Sequence, residues 1–188
     1  MTTEKKSELL ESFANLGLDP KLLATLAELG YEEPTPIQLA AIGPMLAGGD
    51  LMGQAATGTG KTAAFALPML QRIAAAGKDR PKPSALVLVP TRELAMQVAE
   101  AVHKYGQKLK IAVIPIYGGA SFSQQLRMLE RGVDVVVATP GRALDHIRRK
   151  TLDLSGVSIL VLDEADEMLD MGFAEDLEAI LAETPDER

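Results

Sequence analysis

The sequence predicts a three-layer α/β domain built on a buried parallel sheet, and three observations carry that prediction. Short runs of Val, Leu and Ile recur after residue 47 and are apolar at consecutive positions, as strands covered on both faces are. Each run is followed by a Gly- or Pro-marked turn and then a helical stretch, the alternation of βαβ units. The chain has 188 residues, 47 % apolar and 24 % charged, enough for one globular domain with a sizeable core.

Taken in order, residues 7 to 47 read as short helices broken at Asp19-Pro20 and at Pro34-Thr35-Pro36. The expected strands are Leu51 to Gly53, Ala85 to Val89, Ile111 to Tyr117, Val133 to Ala138 and Ile159 to Leu162. Gly60 to Ala76 reads as helix, with Pro68 expected to kink or shorten it. Residues 77 to 84 form a polar connection expected to be exposed and mobile. His103 and His146 read as surface or packing histidines, and Arg148-Arg149-Lys150 as a solvated helix end. The eight methionines read as core filling.

Composition removes several classes of function. Cysteine is absent, which excludes disulfides and thiolate metal sites and fits a reducing, cytoplasmic setting. No apolar run approaches the length of a membrane span, and the start, Met-Thr-Thr-Glu-Lys-Lys, leads into no signal-peptide pattern. The net charge of −7 runs against strong phosphate-backbone binding, which draws its affinity from Lys and Arg. Any nucleic-acid contact is therefore expected to rest on a few well-placed donors.

Chemistry concentrates where strands end and helices begin, the edge at which open parallel sheets bind ligands. After the first expected strand comes Ala55-Ala56-Thr57-Gly58-Thr59-Gly60-Lys61-Thr62. Glycines there let backbone N–H groups approach phosphate oxygens, and a helix start adds its positive end. Lys61 would reach the β- and γ-phosphates and the Thr62 hydroxyl would hold Mg²⁺. Ala55 stands where the general phosphate-loop pattern has its first Gly, so the loop alone also reads as a Gly-rich turn opening a helix. The strand Ile159 to Leu162 ending in Asp163-Glu164 is a second signal. Asp163 suits Mg²⁺ and Glu164 suits a general base toward water. Asp166 and Glu167 also suit a helix start. Loop and acidic pair together predict an ATPase.

The string Asp163-Glu164-Ala165-Asp166 resembles the signature of DEAD-box RNA helicases, and the likeness covers nearly the whole chain. It implies a RecA-like phosphate-loop domain over residues 41–188, preceded by a helical segment, 1–40, that carries the family's Q motif. Phe13 and the run Gly30-Tyr31-Glu32-Glu33-Pro34-Thr35-Pro36-Ile37-Gln38 resemble that motif. By resemblance Phe13 stacks on adenine and Gln38 reads its amino edge, with Tyr31 and Pro36 beside them. Core packing is the alternative for Phe13. Ala56, Thr57, Gly58, Thr59, Gly60, Lys61 and Thr62 would bind ATP, with Thr62 and Asp163 on Mg²⁺. Lys61, Asp163 and Glu164 would be catalytic.

Pro90-Thr91-Arg92, Gly118-Gly119 and Thr139-Pro140-Gly141-Arg142 resemble the family's motifs Ia, GG and Ib, implying sequence-independent contacts with a single RNA strand. They offer guanidinium groups, hydroxyls and backbone N–H groups, which suit phosphates and ignore base identity. Thr139-Pro140 also reads as a helix cap with Pro at the first position. Asp166 would face a second RecA-like domain. Residues 163 to 173 are similar to the bacterial cold-shock branch.

The family's Ser-Ala-Thr motif and second-domain motifs, including the arginine finger, are not in this chain. In related ATPases the Ser-Ala-Thr strand lies between the phosphate-loop strand and the Asp-Glu strand, so strand edges are expected to stand open. The resemblance implies an ATP-dependent RNA helicase whose fragment binds nucleotide but hydrolyses it poorly. A non-catalytic RNA or protein clamp is the alternative. A GTPase would need Asn-Lys-x-Asp, and the one asparagine is Asn15.

Overall fold

A computed structural model describes residues 13–77 and 82–186. In chain order the helices are α1 (Pro20–Glu28), α2 (Pro36–Leu46), α3 (Lys61–Ala75), α4 (Arg92–Gly106), α5 (Phe122–Glu130), α6 (Pro140–Arg148), α7 (Ala165–Asp170) and α8 (Ala174–Leu181). The strands are β1 (Ala85–Leu88), β2 (Val113–Ile116), β3 (Val135–Ala138) and β4 (Ile159–Leu162). The chain divides into two compact units, Met1–Ala76 with Ala101–Lys110, and Gly77–Glu100 with Ile111–Arg188.

In the first unit the expected helix breaks become helix starts. Asp19 caps α1, its carboxylate accepting from Lys21 N at 2.7 Å, with Pro20 at the first position. The Gln71 side chain of α3 brackets this entry, accepting from Asp19 N at 2.7 Å and donating to Gly17 O at 2.9 Å. Thr35 stands at the N-cap of α2 with Pro36 at its first position. Pro68 does not shorten α3, which runs unbroken to Ala75. Every residue from Ala63 to Leu70 is buried, and packing supplies what the proline removes from the backbone ladder. Phe13 lies edge-on to Tyr31, and Tyr31 edge-on to Tyr105, with centroids 6.3 and 6.0 Å apart. The two tyrosine hydroxyls are hydrogen-bonded to each other. Burial pushes the Tyr105 phenol well above its ordinary pKa.

The second unit holds the sheet, in the order β2-β3-β1-β4 with every pair parallel. Central β1 and β3 are buried at all four positions, whereas outer β2 and β4 are buried on part of their length. Leu86, Leu88, Ile116, Val136, Leu144, Met168 and Ile180 belong to one apolar cluster on this sheet. Register fixes the outcome that matters for function. Ile116, Ala138, Leu88 and Leu162 lie in one row across the sheet, so all four strands end together. The expected polar connection ends in an anchor: Lys82 Nζ meets Asp153 at 2.8 Å and Ser155 Oγ at 2.6 Å, and Pro83 and Ser84 are buried.

One expected strand is absent. Leu51 to Gly53 have no strand pairing, and Leu51 is 46 % and Met52 100 % exposed. An extended apolar segment becomes a strand only when a neighbour takes up its backbone N–H and C=O groups, and none does so here among the described residues.

Candidate functional site

The phosphate loop belongs to the first unit. Residues 56 to 58 are exposed, and Gly58 and Gly60 take the left-handed conformation at φ +82° and +89°. Thr59 closes the turn, its hydroxyl donating to Ala56 O at 2.6 Å. Gly60 is the N-cap of α3, a helix of 15 residues that places Lys61 and Thr62 in its first turn. A Cβ on Gly60 would stand 2.4 Å from Gln38 Nε2, so this glycine is required by both conformation and space.

Gln38 sits behind that glycine and is 1 % exposed. Its Oε1 accepts from Thr35 N at 3.0 Å, the glutamine half of a capping box, and its Nε2 donates to Gly60 O at 3.2 Å. The amide therefore ties the start of α2 to the loop. A second N–H and a second lone pair remain on the amide for a base edge. Thr35 Oγ1 is buried and has no hydrogen-bond partner among the described residues. An orphaned hydroxyl beside a glycine loop fits a polar group brought in by a ligand, and the loop's backbone suits a phosphate chain.

Tyr31 is half-buried and Pro36 exposed. Phe13 is a different case. It is 1 % exposed, so in this structure no face of its ring is open to a base. The packing alternative is the one its position supports, with Tyr31 as the ring it touches.

The other candidate residues share the rim where the sheet's strands end, all within the second unit. Pro90-Thr91-Arg92 follow β1, Gly118-Gly119 follow β2, Thr139 to Arg142 follow β3 and Asp163-Glu164 follow β4. Pro90 and Pro140 are buried and shape the backbone, whereas Arg92, Gly118, Gly119 and Gly141 are exposed. Thr91 Oγ1 accepts from Leu94 N at 3.2 Å and caps α4. Arg92 pairs with its neighbour Glu93 at 3.0 Å. The backbone bond that Glu93 accepts and the Arg92 side chain keep the Glu93 carboxyl below its ordinary range. Thr139 stands at the N-cap of α6 with Pro140 at its first position, but its side chain makes no capping bond.

Asp163 is 9 % exposed, held by its N–H on Leu88 O at 3.0 Å. Glu164 follows at φ +54°, ψ +50°. A left-handed glutamate costs ~1–2 kcal/mol, and strain of this kind collects at working positions. It marks the sharp strand-to-helix turn that presents Asp163 and Glu164 in succession. The composition of this turn carried no sign of the strain, since a glycine would have been its usual signal. Asp166 is exposed and accepts from Glu167 N at 3.0 Å. Among the described residues no group of three or more His, Asp or Glu side chains gathers to hold a metal. Thr62 in the first unit and Asp163 in the second each carry the hard oxygen that Mg²⁺ prefers beside phosphates and water.

The sequence reading missed the polar cluster around His146. It read this residue as surface or packing, and the structure makes it a packed one, fully buried and stacked on Phe122 at 4.1 Å. Helical spacing was the available signal: Phe122 and Gln125 share one face of α5, and Arg142 and His146 share one face of α6. Arg149, read as part of a solvated helix end, pairs with Asp145 at 2.7 Å and lies 4.7 Å from the Phe122 centroid.

Known proteins resemble this chain over most of its length. "ATP-dependent RNA helicase DeaD" of Mycobacterium tuberculosis is 58 % identical over 176 residues, 93 % of this chain and 31 % of that protein. Its Escherichia coli namesake is 52 % identical, covering 96 % of this chain and 28 % of the relative. "DEAD-box ATP-dependent RNA helicase CshA" of Bacillus cereus is 50 % identical, covering 94 % and 33 %. The chain thus spans about a third of these relatives' length. The crystal structure of a hypothetical ATP-dependent RNA helicase from Sulfolobus tokodaii superposes with a TM-score of 0.81 at 38 % identity, over 89 % of this chain and 47 % of that one. The family model for DEAD/DEAH box helicases matches residues 35–188, and with the sheet, the glycine loop and the Asp163-Glu164 turn already in place, the chain belongs to that family.

Proposed function

We propose that this chain is the ATP-binding part of an ATP-dependent RNA helicase, working in the cytoplasm with a second RecA-like domain. One observation carries the reading: the parallel register ends four strands in one row, so Pro90-Thr91-Arg92, Gly118-Gly119, Thr139 to Arg142 and Asp163-Glu164 occupy a single rim. A row of strand ends is where such sheets bind ligands. In this reading Lys61 serves the phosphates of ATP, and Asp163 and Glu164 serve its hydrolysis. Bound Mg²⁺ would supply charge neutralisation between the phosphates.

The residues divide the work. Residues 56 to 60 wrap the phosphates with backbone N–H groups, Lys61 adds a cation, and Thr62 and Asp163 offer oxygen ligands. Glu164 takes a proton from the attacking water. Gln38 selects adenine with the valences its two structural bonds leave over. Arg92, Thr139 and the Gly118-Gly119 backbone grip an RNA strand through its phosphates, without reading bases. An arginine finger from a second domain contributes ~10³–10⁵ in rate in phosphate-loop enzymes, so the 188-residue chain alone turns ATP over slowly.

Calorimetry with ADP and GDP tests the nucleotide site, and adenine preference is expected. Glu164→Gln in a full-length protein should bind ATP as before and lose turnover. Equal affinity for guanine and adenine nucleotides, or brisk RNA-stimulated hydrolysis by the chain alone, would overturn this assignment.

A further inference from the structure

Behind the Gly118-Gly119 loop lies a polar cluster that the proposed chemistry does not use. Gln125 of α5 is 4 % exposed and His146 of α6 is 0 % exposed. The Gln125 amide nitrogen donates to Tyr117 O at 3.0 Å. A backbone carbonyl only accepts, so this bond fixes which end of the amide is nitrogen. Gln125 Oε1 then faces Arg142 Nη1 at 3.0 Å and His146 Nε2 at 3.2 Å, and both donate to it. The ring therefore carries a proton on Nε2. Its Nδ1 lies 2.9 Å from Thr151 Oγ1, whose one hydroxyl proton also has the His146 carbonyl oxygen within reach at 3.0 Å. Burial, then the Arg142 cation, holds the His146 pKa down to about 4, which keeps the ring neutral in this arrangement.

The cluster acts on the loop through two carbonyls. Gln125 draws in Tyr117 O, and Arg142 Nη1 draws in Ala120 O at 3.1 Å. In a trans peptide the C=O and N–H point in opposite directions, and no cis peptide is present among the described residues. Pulling those carbonyls inward turns the N–H groups of Gly118 and Ser121 away from the cluster. Neither N–H donates to a protein acceptor among the described residues. Gly118 and Gly119, exposed, lie between them, with Gly119 at φ +82°. A loop held this way presents backbone donors suited to phosphate oxygens.

We infer that Gln125 and His146 are positioning residues for RNA: too buried to touch the strand, they hold Tyr117 and Ala120 so that the loop's N–H groups face it. This rests on the RNA reading above. Arg142 works in part from behind the loop, since one of its nitrogens is committed to Ala120 and Gln125.

The test measures RNA affinity by anisotropy of a fluorescein-labelled oligouridylate, and nucleotide affinity with a fluorescent ADP, on the same preparations. Gln125→Glu keeps the size and the acceptor toward Arg142 but sets an oxygen against Tyr117 O. It should weaken RNA binding about tenfold, the scale of one buried hydrogen bond, and leave nucleotide affinity unchanged. His146→Ala should weaken RNA binding similarly, and His146→Gln, which retains an N–H donor, should restore most of it. Gln125→Ala adds a cavity, and if it fails to fold the other three variants decide. RNA binding unaltered in Gln125→Glu and His146→Ala would overturn the inference alone. So would parallel loss of RNA and nucleotide affinity, the mark of a merely structural role. No RNA binding by the unmodified chain would overturn the RNA reading, and this inference with it.

Discussion

Acidification from pH 7.5 to 5 should destabilise the fold through His146. The groups facing its ring are Arg142 and Asp145 from its own helix, Arg149 just past that helix's end, Phe122 and Gln125 from α5, and Thr151. Burial is the largest cause of its lowered pKa, Arg142 and Arg149 add to it, and Asp145 opposes it. The folded value is about 4 against an ordinary 6.5. The unfolded chain therefore takes up a proton first as pH falls. Stability is complete above about pH 6.5, declines as pH drops toward 4, and loses no more from this group below that. Weighing the two protonation equilibria at pH 5 gives a loss of about 2 kcal/mol relative to pH 7.5. The assay is urea denaturation followed by circular dichroism, since the chain has no tryptophan. His146→Gln cannot titrate and should lack that decline, while His103 and every carboxylate remain common to both proteins. An identical pH dependence in parent and variant would refute the reasoning.

Other expected outcomes concern the first unit and the acidic turn. Gln38→Ala removes two buried hydrogen bonds of ~1 kcal/mol each, so it should lower the melting temperature by about 4–8 °C without any nucleotide. An unchanged melt would leave Gln38 a ligand contact only. Phe13→Ala should cost ~3–5 kcal/mol as a core truncation, read by the same denaturation. Full stability with lost nucleotide affinity would return the ring to adenine stacking. At position 164 the left-handed backbone should make Glu164→Gly more stable than Glu164→Ala by ~1 kcal/mol, and comparative melts giving the opposite order would remove the strain argument.

Four of the five expected strands were legible because Ala85 to Val89, Ile111 to Tyr117, Val133 to Ala138 and Ile159 to Leu162 are apolar at successive positions. Leu51 to Gly53 has similar composition, yet strand formation depends on a partner that composition does not report. The glycine loop was legible because Gly58 and Gly60 stand where left-handed turns require them. Glu164 was legible as chemistry and silent as conformation, since its positive φ is imposed by the turn and opposed by the residue's own preference. Phe13 matched a spacing that pointed to a ligand, and its burial comes from aromatic neighbours distant in sequence. Pro68 shows the same limit from the other side, for local propensity predicted a break that packing overrules.

The acidic pair follows β4, whose hydrogen-bonded neighbour in the sheet, among the described residues, is β1 alone. Half of its backbone polar groups therefore have no strand partner among the described residues, alongside a Leu162 that is 39 % exposed. Such a border accepts any passing extended peptide of suitable register, including one from another molecule of the same kind. Solubility and the proposed chemistry are thereby joined at one strand. A charge placed on that border to keep concentrated samples clear would act within a few residues of Asp163, so handling this protein and tuning its chemistry cannot be separated there.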